Sequence, residues 1–170
     1  MNNVGGVATK EYIIGNIFQR PRDIIYFLTS AKNFAISRGH EIIEEEDLQS
    51  AHVDYSNWIF KSVLVENGIT IMQMEGFMYN LMGESAIMTL DRIKELAKEA
   101  NIIVDSAEDL EIFIDDLVSL TIFGREIKDS EFEYEYEFDS DIKLKALAKK
   151  VKNSRYKIHN ALMPYLEIIN

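Results

Sequence analysis

The chain has 170 residues, 47% of them apolar and 11% aromatic, and no cysteine. That is enough apolar surface for a real core, and it leaves no disulfide framework and no thiolate metal site. A net charge of −11 argues against general affinity for nucleic acid, whose phosphates demand a basic face. No apolar run approaches the length of a membrane span, and no basic start leads into an apolar stretch. A cytoplasmic, bacterial-type protein is the expectation.

Residues 1–7 read as a frayed start, and residues 8–19 as a short helix carrying Tyr12, Ile13 and Ile17. Pro21 stands where proline is tolerated, at the first turn of a helix. Ile24, Phe27, Leu28, Ala31, Phe34 and Ala35 then mark one face at helical spacing. Gly39 stops that helix, with Arg38 near the negative end of its dipole. The next helix runs from about Glu45 to Glu66. Glu44 to Asp47 place negative charge at its positive N-terminus, and Leu48, Ala51, Tyr55, Trp58, Ile59 and Val63 form its buried stripe. Asn67-Gly68 reads as a helix stop.

Ile71, Met74, Phe77, Met78, Leu81 and Met82 mark a further helix. Thr89 caps another, with Leu90, Ile93, Leu96, Ala97 and Ala100 inside. Ser106 caps a third, with Asp109 placed for a capping box and Leu110, Phe113, Ile114, Leu117 and Leu120 as its core face. The period then changes to two. Residues 120–127 read as a strand, Lys128-Asp129-Ser130 as a turn, and Glu131 to Phe138 as a strictly alternating strand. Three helices followed by a hairpin is the element order of a winged helix. Residues 142–152 form a last helix (Leu144, Leu147, Ala148, Val151), and the tail from Ile158 to Leu166 packs back on the winged-helix unit.

A family resemblance rests on text spread over the chain in one order. It comprises Glu11-Tyr12-Ile13-Ile14, Phe18-Gln19-Arg20-Pro21-Arg22-Asp23-Ile24-Ile25, Glu44-Glu45-Glu46-Asp47-Leu48, Tyr55-Ser56 and Leu64-Val65-Glu66-Asn67-Gly68. Leu120-Thr121-Ile122-Phe123-Gly124, Ile158-His159-x-Ala161 and Tyr165-Leu166-Glu167-Ile168 complete it. The chain resembles the C-terminal region, helical lid plus winged helix, of bacterial P-loop ATPases of the STAND and AAA-like kind. Glu44 stands where such proteins usually have threonine, and Asn160 where proline usually follows Ile-His. The ATPase core itself is absent: the sequence has no G-x-x-x-x-G-K-[ST], and Gly5-Gly6 lacks the lysine of a phosphate loop.

The resemblance implies a mainly α fold with a small β-hairpin. A helical lid-like segment occupies 1–67, a winged-helix-like domain 68–138, and a C-terminal helix and tail 139–170, packed on the winged helix. The long 45–66 helix leans on both halves, so one compact body is expected. The implied function is a non-catalytic regulatory region of a P-loop ATPase that senses nucleotide state and docks a protein effector through the winged helix. The alternative is a free-standing winged-helix binding protein of transcriptional or adaptor type. No cofactor is expected in isolation, ATP is implied for the parent ATPase, and an ATPase core in the same or a separate chain is the implied partner.

Arg20 and Arg22 are the candidate nucleotide-sensing residues, because a guanidinium at a helix start suits a phosphate. Pairing with Asp23 or Glu44 is the competing reading. The 106–120 helix carries Glu108, Asp109, Glu111, Asp115 and Asp116 and no Lys or Arg, so it is unsuited to a major groove. The glutamates of 131–137 read as a solvated face opposite Phe132, Tyr134, Tyr136 and Phe138. Lys143, Lys145, Lys149, Lys150 and Lys152, followed by Arg155 and Lys157, are candidates for anion or nucleic-acid contact, with compensation of the acidic hairpin as the alternative. His40, His52 and His159 show no ligand spacing, so no metal is expected. Ser56 has no recognisable base partner, and Met72, Met74, Met78 and Met82 read as core filler.

Overall fold

In a computed structural model that describes residues 3–66, 71–137, 141–152 and 154–169, the chain is mainly α with small antiparallel sheets. It divides into two compact units: Met1–Lys61 with Asn160–Tyr165, and Ser62–His159 with Leu166–Asn170. The expected stop at Asn67-Gly68 and the end of the alternating run at Phe138 lie outside the described residues.

Unit 1 opens with a hairpin where the sequence reads as frayed. Strands β1 (Asn3–Val4) and β2 (Val7–Ala8) pair across Gly5-Gly6, whose φ values of 55° and 83° suit the mirror-image turn that twists a hairpin correctly. Helix α1 (Thr9–Gly15) follows. Helix α2 (Pro21–Arg38) has its proline in the first turn and ends on Gly39 at φ 76°, a left-handed C-cap. Its buried face is Asp23, Phe27, Ser30, Ala31 and Ala35. Ile24 and Leu28, expected inside, are 38% and 40% exposed, because the helix is rolled so that Asp23 faces inward. Helix α3 (Glu45–Glu66) buries Leu48, Ala51, Tyr55 and Ile59 as expected, and also Ser56 and Phe60. The returning segment supplies their partners: Tyr165 N–H donates to Ser56 Oγ at 3.0 Å, and the Tyr165 ring lies 4.3 Å from that of Phe60.

Unit 2 contains α4 (Ile71–Asn80), β3 (Ile87–Thr89), α5 (Leu90–Glu99), α6 (Ala107–Ser119), β4 (Phe123–Lys128), β5 (Glu131–Glu133), α7 (Asp141–Ala148) and β6 (Arg155–Ile158). A short helix α8 (Met163–Leu166) straddles the end of the returning segment. Thr89 accepts from Arg92 N–H, and Ser106 with Asp109 makes a complete capping box. Phe77 meets Phe113 edge to face at 5.0 Å in a core that includes Met74, Met78, Ile93, Leu96 and Leu117. Met72 and Met82, expected as core filler, are 83% and 44% exposed, since they fall off the 74–78–81 face.

The four strands form one antiparallel sheet in the order β3-β6-β4-β5. β6, like β4, is an inner strand, pairing with both β3 and β4, yet it lies in the lysine-rich text between the expected last helix (142–152) and the tail that begins at Ile158. Tyr156 and Ile158 point to the core and alternate with half-exposed Arg155 and Lys157. β5 is shorter than the alternating run implies. After Glu133 the Tyr134 N–H donates to the Glu137 carboxylate at 2.7 Å instead of to a strand, and Glu135–Glu137 form a 3-10 turn. Gly124 on β4 allows this turn to close, because a Cβ there would lie 2.9 Å from Tyr134 Cε1 and 3.1 Å from the Glu133 carbonyl. α7 ends at Ala148, short of the expected 152.

Candidate functional site

The N-terminus of α2 is built around a buried acid. Asp23 is fully buried in the first turn, where the helix dipole favours a carboxylate. Arg20 stands before the helix in extended conformation, as its following proline requires. Its Nε donates to Asp23 Oδ2 at 2.6 Å, and its guanidinium lies 5.3 Å from the Phe18 ring. Arg22 approaches the same carboxylate at 3.7 Å and lies 5.8 Å from the Trp58 ring. Both candidate arginines therefore converge on Asp23, while their side chains keep 34% and 52% exposure. Glu44, the other pairing acid considered, sits instead beside His40.

Arg22 borders a cleft of about 600 Å³ between α2 and α3 within unit 1. Tyr26 and Trp58 stack in its wall at 4.4 Å. Asp54 accepts from the Ser30 hydroxyl at 2.6 Å and the Tyr26 hydroxyl at 3.2 Å, fixing both side chains. Tyr55 fixes the chain leading into α2: its buried hydroxyl accepts from Phe18 N–H at 3.0 Å, and burial pushes its ionisation well above the usual phenol range.

A second buried acid organises the start of α3. Asp47 accepts from Arg38 Nη1 at 2.6 Å, from Glu44 N–H at 2.9 Å and from His40 Nδ1 at 2.8 Å. Burial alone would raise the Asp47 pKa; the bonds from His40, Glu44 N–H and Arg38 outweigh it and hold the value at about 2. The bond to Asp47 raises the His40 pKa, against a smaller opposing effect of burial. His40 Nε2 faces Glu46 at 3.4 Å and Glu44 at 4.0 Å, so these three residues could hold a cation. Glu44 to Asp47 read from sequence as a possible cation site, with a charged helix start as the favoured alternative, and the structure adds His40 to Glu44 and Glu46.

The lysine run does not act as one surface. Lys145 donates to Asp115 at 2.7 Å and lies 3.6 Å from Asp141, while Lys149 lies 3.9 Å from Glu111. Lys143, Lys150 and Lys152 are exposed. Arg155 clasps the buried Glu126 through its side chain, with Nε donating at 3.0 Å, and also through its backbone N–H at 3.1 Å. The bond from Arg155 is the chief cause of a Glu126 pKa held at about 2. Of the acidic row, Glu133 is pushed up to about 7 by its hydrogen bond with Glu137, aided by burial. His159 lies beside the Tyr134 ring, and its Nε2 is 3.1 Å from the Tyr136 hydroxyl.

Among the described residues, no helix is long and apolar enough to cross a membrane. Residues 1–64 match the family model of the FunZ-associated C-terminal helical domain. That stretch contains both buried-acid helix starts and ends within α3. No curated protein and no solved structure matches the chain.

Proposed function

We propose that the chain is a non-catalytic C-terminal accessory region serving a P-loop ATPase of the STAND or AAA-like kind, and that Arg20 and Arg22 report the state of its nucleotide. The observation that carries this reading is the coincidence of the helical-domain match over residues 1–64 with the arginine-flanked start of α2. Asp23 anchors the two guanidinium groups at the helix N-terminus while each keeps a solvent-facing part. A γ-phosphate presented there would compete with one carboxylate for planar, charged donors. Nucleotide loss returns the arginines to Asp23, so the acid acts as the resting-state ligand. The chain is then cytoplasmic, binds ATP only together with a core, and does not hydrolyse it alone.

In this reading unit 2 docks a protein effector as a winged-helix-like module. The order α4, β3, α5, α6, β4, β5 supports the comparison. The placement of β6 beside β4 is the departure from three helices plus a simple hairpin. The acidic faces of α6 and β5 disfavour nucleic acid and favour a basic protein surface.

The test uses protein isolated under native conditions from its own cells, with its natural partners or flanking sequence. Trp58, the single tryptophan, lies beneath Arg22 and serves as the probe. ATPase activity should accompany the protein, Trp58 fluorescence should change on adding MgATP, and Arg20→Ala with Arg22→Ala should lower turnover about tenfold, the worth of one charge-assisted bond. An isolate without ATPase activity, or one whose turnover ignores both substitutions, overturns the proposal.

A further inference from the structure

A hollow of about 270 Å³ lies wholly within unit 2. Leu90, Leu110, Ile114 and Ala148 give it an apolar wall, and Arg125 and Lys145 stand on its polar side. Arg125 sits on β4, hydrogen-bonded between β5 and β6, and is only 8% exposed. Its guanidinium lies 5.8 Å from the Tyr156 ring and interacts with the Tyr156 hydroxyl, yet its donors are not all used. Nη2 donates to Asp115, but the buried Nε finds no hydrogen-bond partner among the described residues. A guanidinium is a fork of donors built for two parallel bonds to an oxyanion, and a buried charged donor left unmade carries a penalty. Asp115 cannot supply the second bond readily, because its other oxygen is taken by Lys145 Nζ at 2.7 Å. One carboxylate thus serves two cations, while Lys149 and Glu111 face each other loosely at 3.9 Å.

We propose that this hollow binds a small amphipathic oxyanion, an organic carboxylate or phosphate monoester. Its anionic head takes the half-used Arg125 fork together with Lys145, displacing Asp115 partway. Its apolar body lies on Leu110, Ile114 and Ala148. The hollow suits a ligand of about one ring, near the low end of small-molecule sites. Of the basic run, Lys145 takes part, and Lys143, Lys150 and Lys152 do not.

The experiment is a ¹⁵N NMR titration of the whole chain, following the Arg125 Nε–Hε signal directly. Benzoate and phenyl phosphate are the probes, with inorganic phosphate and benzyl alcohol as controls. The expected result is a saturable shift of Arg125 with one or both probes, about tenfold weaker with inorganic phosphate, which lacks the apolar body, and absent with benzyl alcohol. The tighter probe names the head group. Lys145→Gln should weaken binding about tenfold. Asp115→Asn should tighten it, whereas Glu99→Gln, which removes the same charge from an exposed position of unit 2 outside the hollow, should leave it unchanged. Arg125→Met should abolish binding, and Lys145→Gln with Asp115→Asn carries the test if that variant does not fold. Overturning results are a linear, non-saturating response, equal gains from Asp115→Asn and Glu99→Gln, or benzyl alcohol binding as tightly as benzoate.

Discussion

The two units differ in which buried charges they leave unsatisfied. In unit 1 the buried groups are acids, Asp23 and Asp47, each in the first turn of a helix, with donors converging from partly exposed bases and the backbone. Unit 2 has one acid treated the same way, Glu126, but also a buried base, Arg125, whose Nε has no hydrogen-bond partner among the described residues. A carboxylate's acceptor sites are easily filled by nearby N–H groups, several of them backbone. A guanidinium's donors need acceptors at fixed angles, and a short Asp on a neighbouring helix meets only part of them. The lesson is that a saturated buried acid works as a structural pin, whereas an underused buried base leaves recognition capacity open.

The contrast breaks most visibly at Glu126. Glu126→Ala should lower stability by about 3 kcal/mol in urea unfolding, since it strips a buried partner from Arg155 and from a backbone N–H. The sign with pH follows from the depressed value. The pair's contribution is present above the ordinary value of 4.5 and fades as pH falls toward about 2. Acid unfolding of Glu126→Gln should lose that part of its pH dependence. An acid limb unchanged in Glu126→Gln would remove Glu126 as a pin.

Gly124→Ala should cost about 2 kcal/mol in thermal unfolding, because the added methyl meets the Glu133 backbone and the Tyr134 ring. In unit 1, Tyr55→Phe should cost about 1 kcal/mol, removing the hydroxyl that accepts from Phe18 N–H. The smallest effect is at Glu133, whose raised carboxyl works in the other direction from Glu126. Its contribution is present below 4.5 and is lost as pH rises through about 7. Glu133→Gln should flatten stability across that window, and the Glu133 carboxyl carbon shift should titrate near neutrality. Titration at the ordinary carboxylate value would show that the Glu133–Glu137 pair does not form in solution.

Helices were legible because their signals are local. Pro21, Gly39, Thr89 and Ser106 mark ends that hold in the structure, and α3 keeps its expected bounds. Strands were less legible. β1 and β2 have two residues each and β3 has three, too few to show alternation. β6 alternates, but its charged members join a lysine run that reads as solvent-facing. The alternating text from Glu131 overstates β5, because a local side-chain bond at Tyr134 competes with the ladder. The arginine pair at α2 stood out through its proline. Arg125 did not, since only tertiary burial separates a core arginine from a surface one.

Residues 160–165 belong to unit 1, so that unit is discontinuous in sequence, with the chain from Ser62 to His159 inserted between its parts. His52 meets the Asn160 carbonyl, and Ser56 meets the Tyr165 N–H, only after that insertion has been traversed. Closing so long a flexible loop carries an entropy penalty on the order of 4 kcal/mol, growing with the logarithm of its length. A folded unit 2 replaces the floppy span by two ends at fixed separation, which removes most of the penalty. Maturation should therefore proceed from the middle of the chain outward, and a fragment cut after residue 64 would lack the tail that seals Ser56 and Phe60.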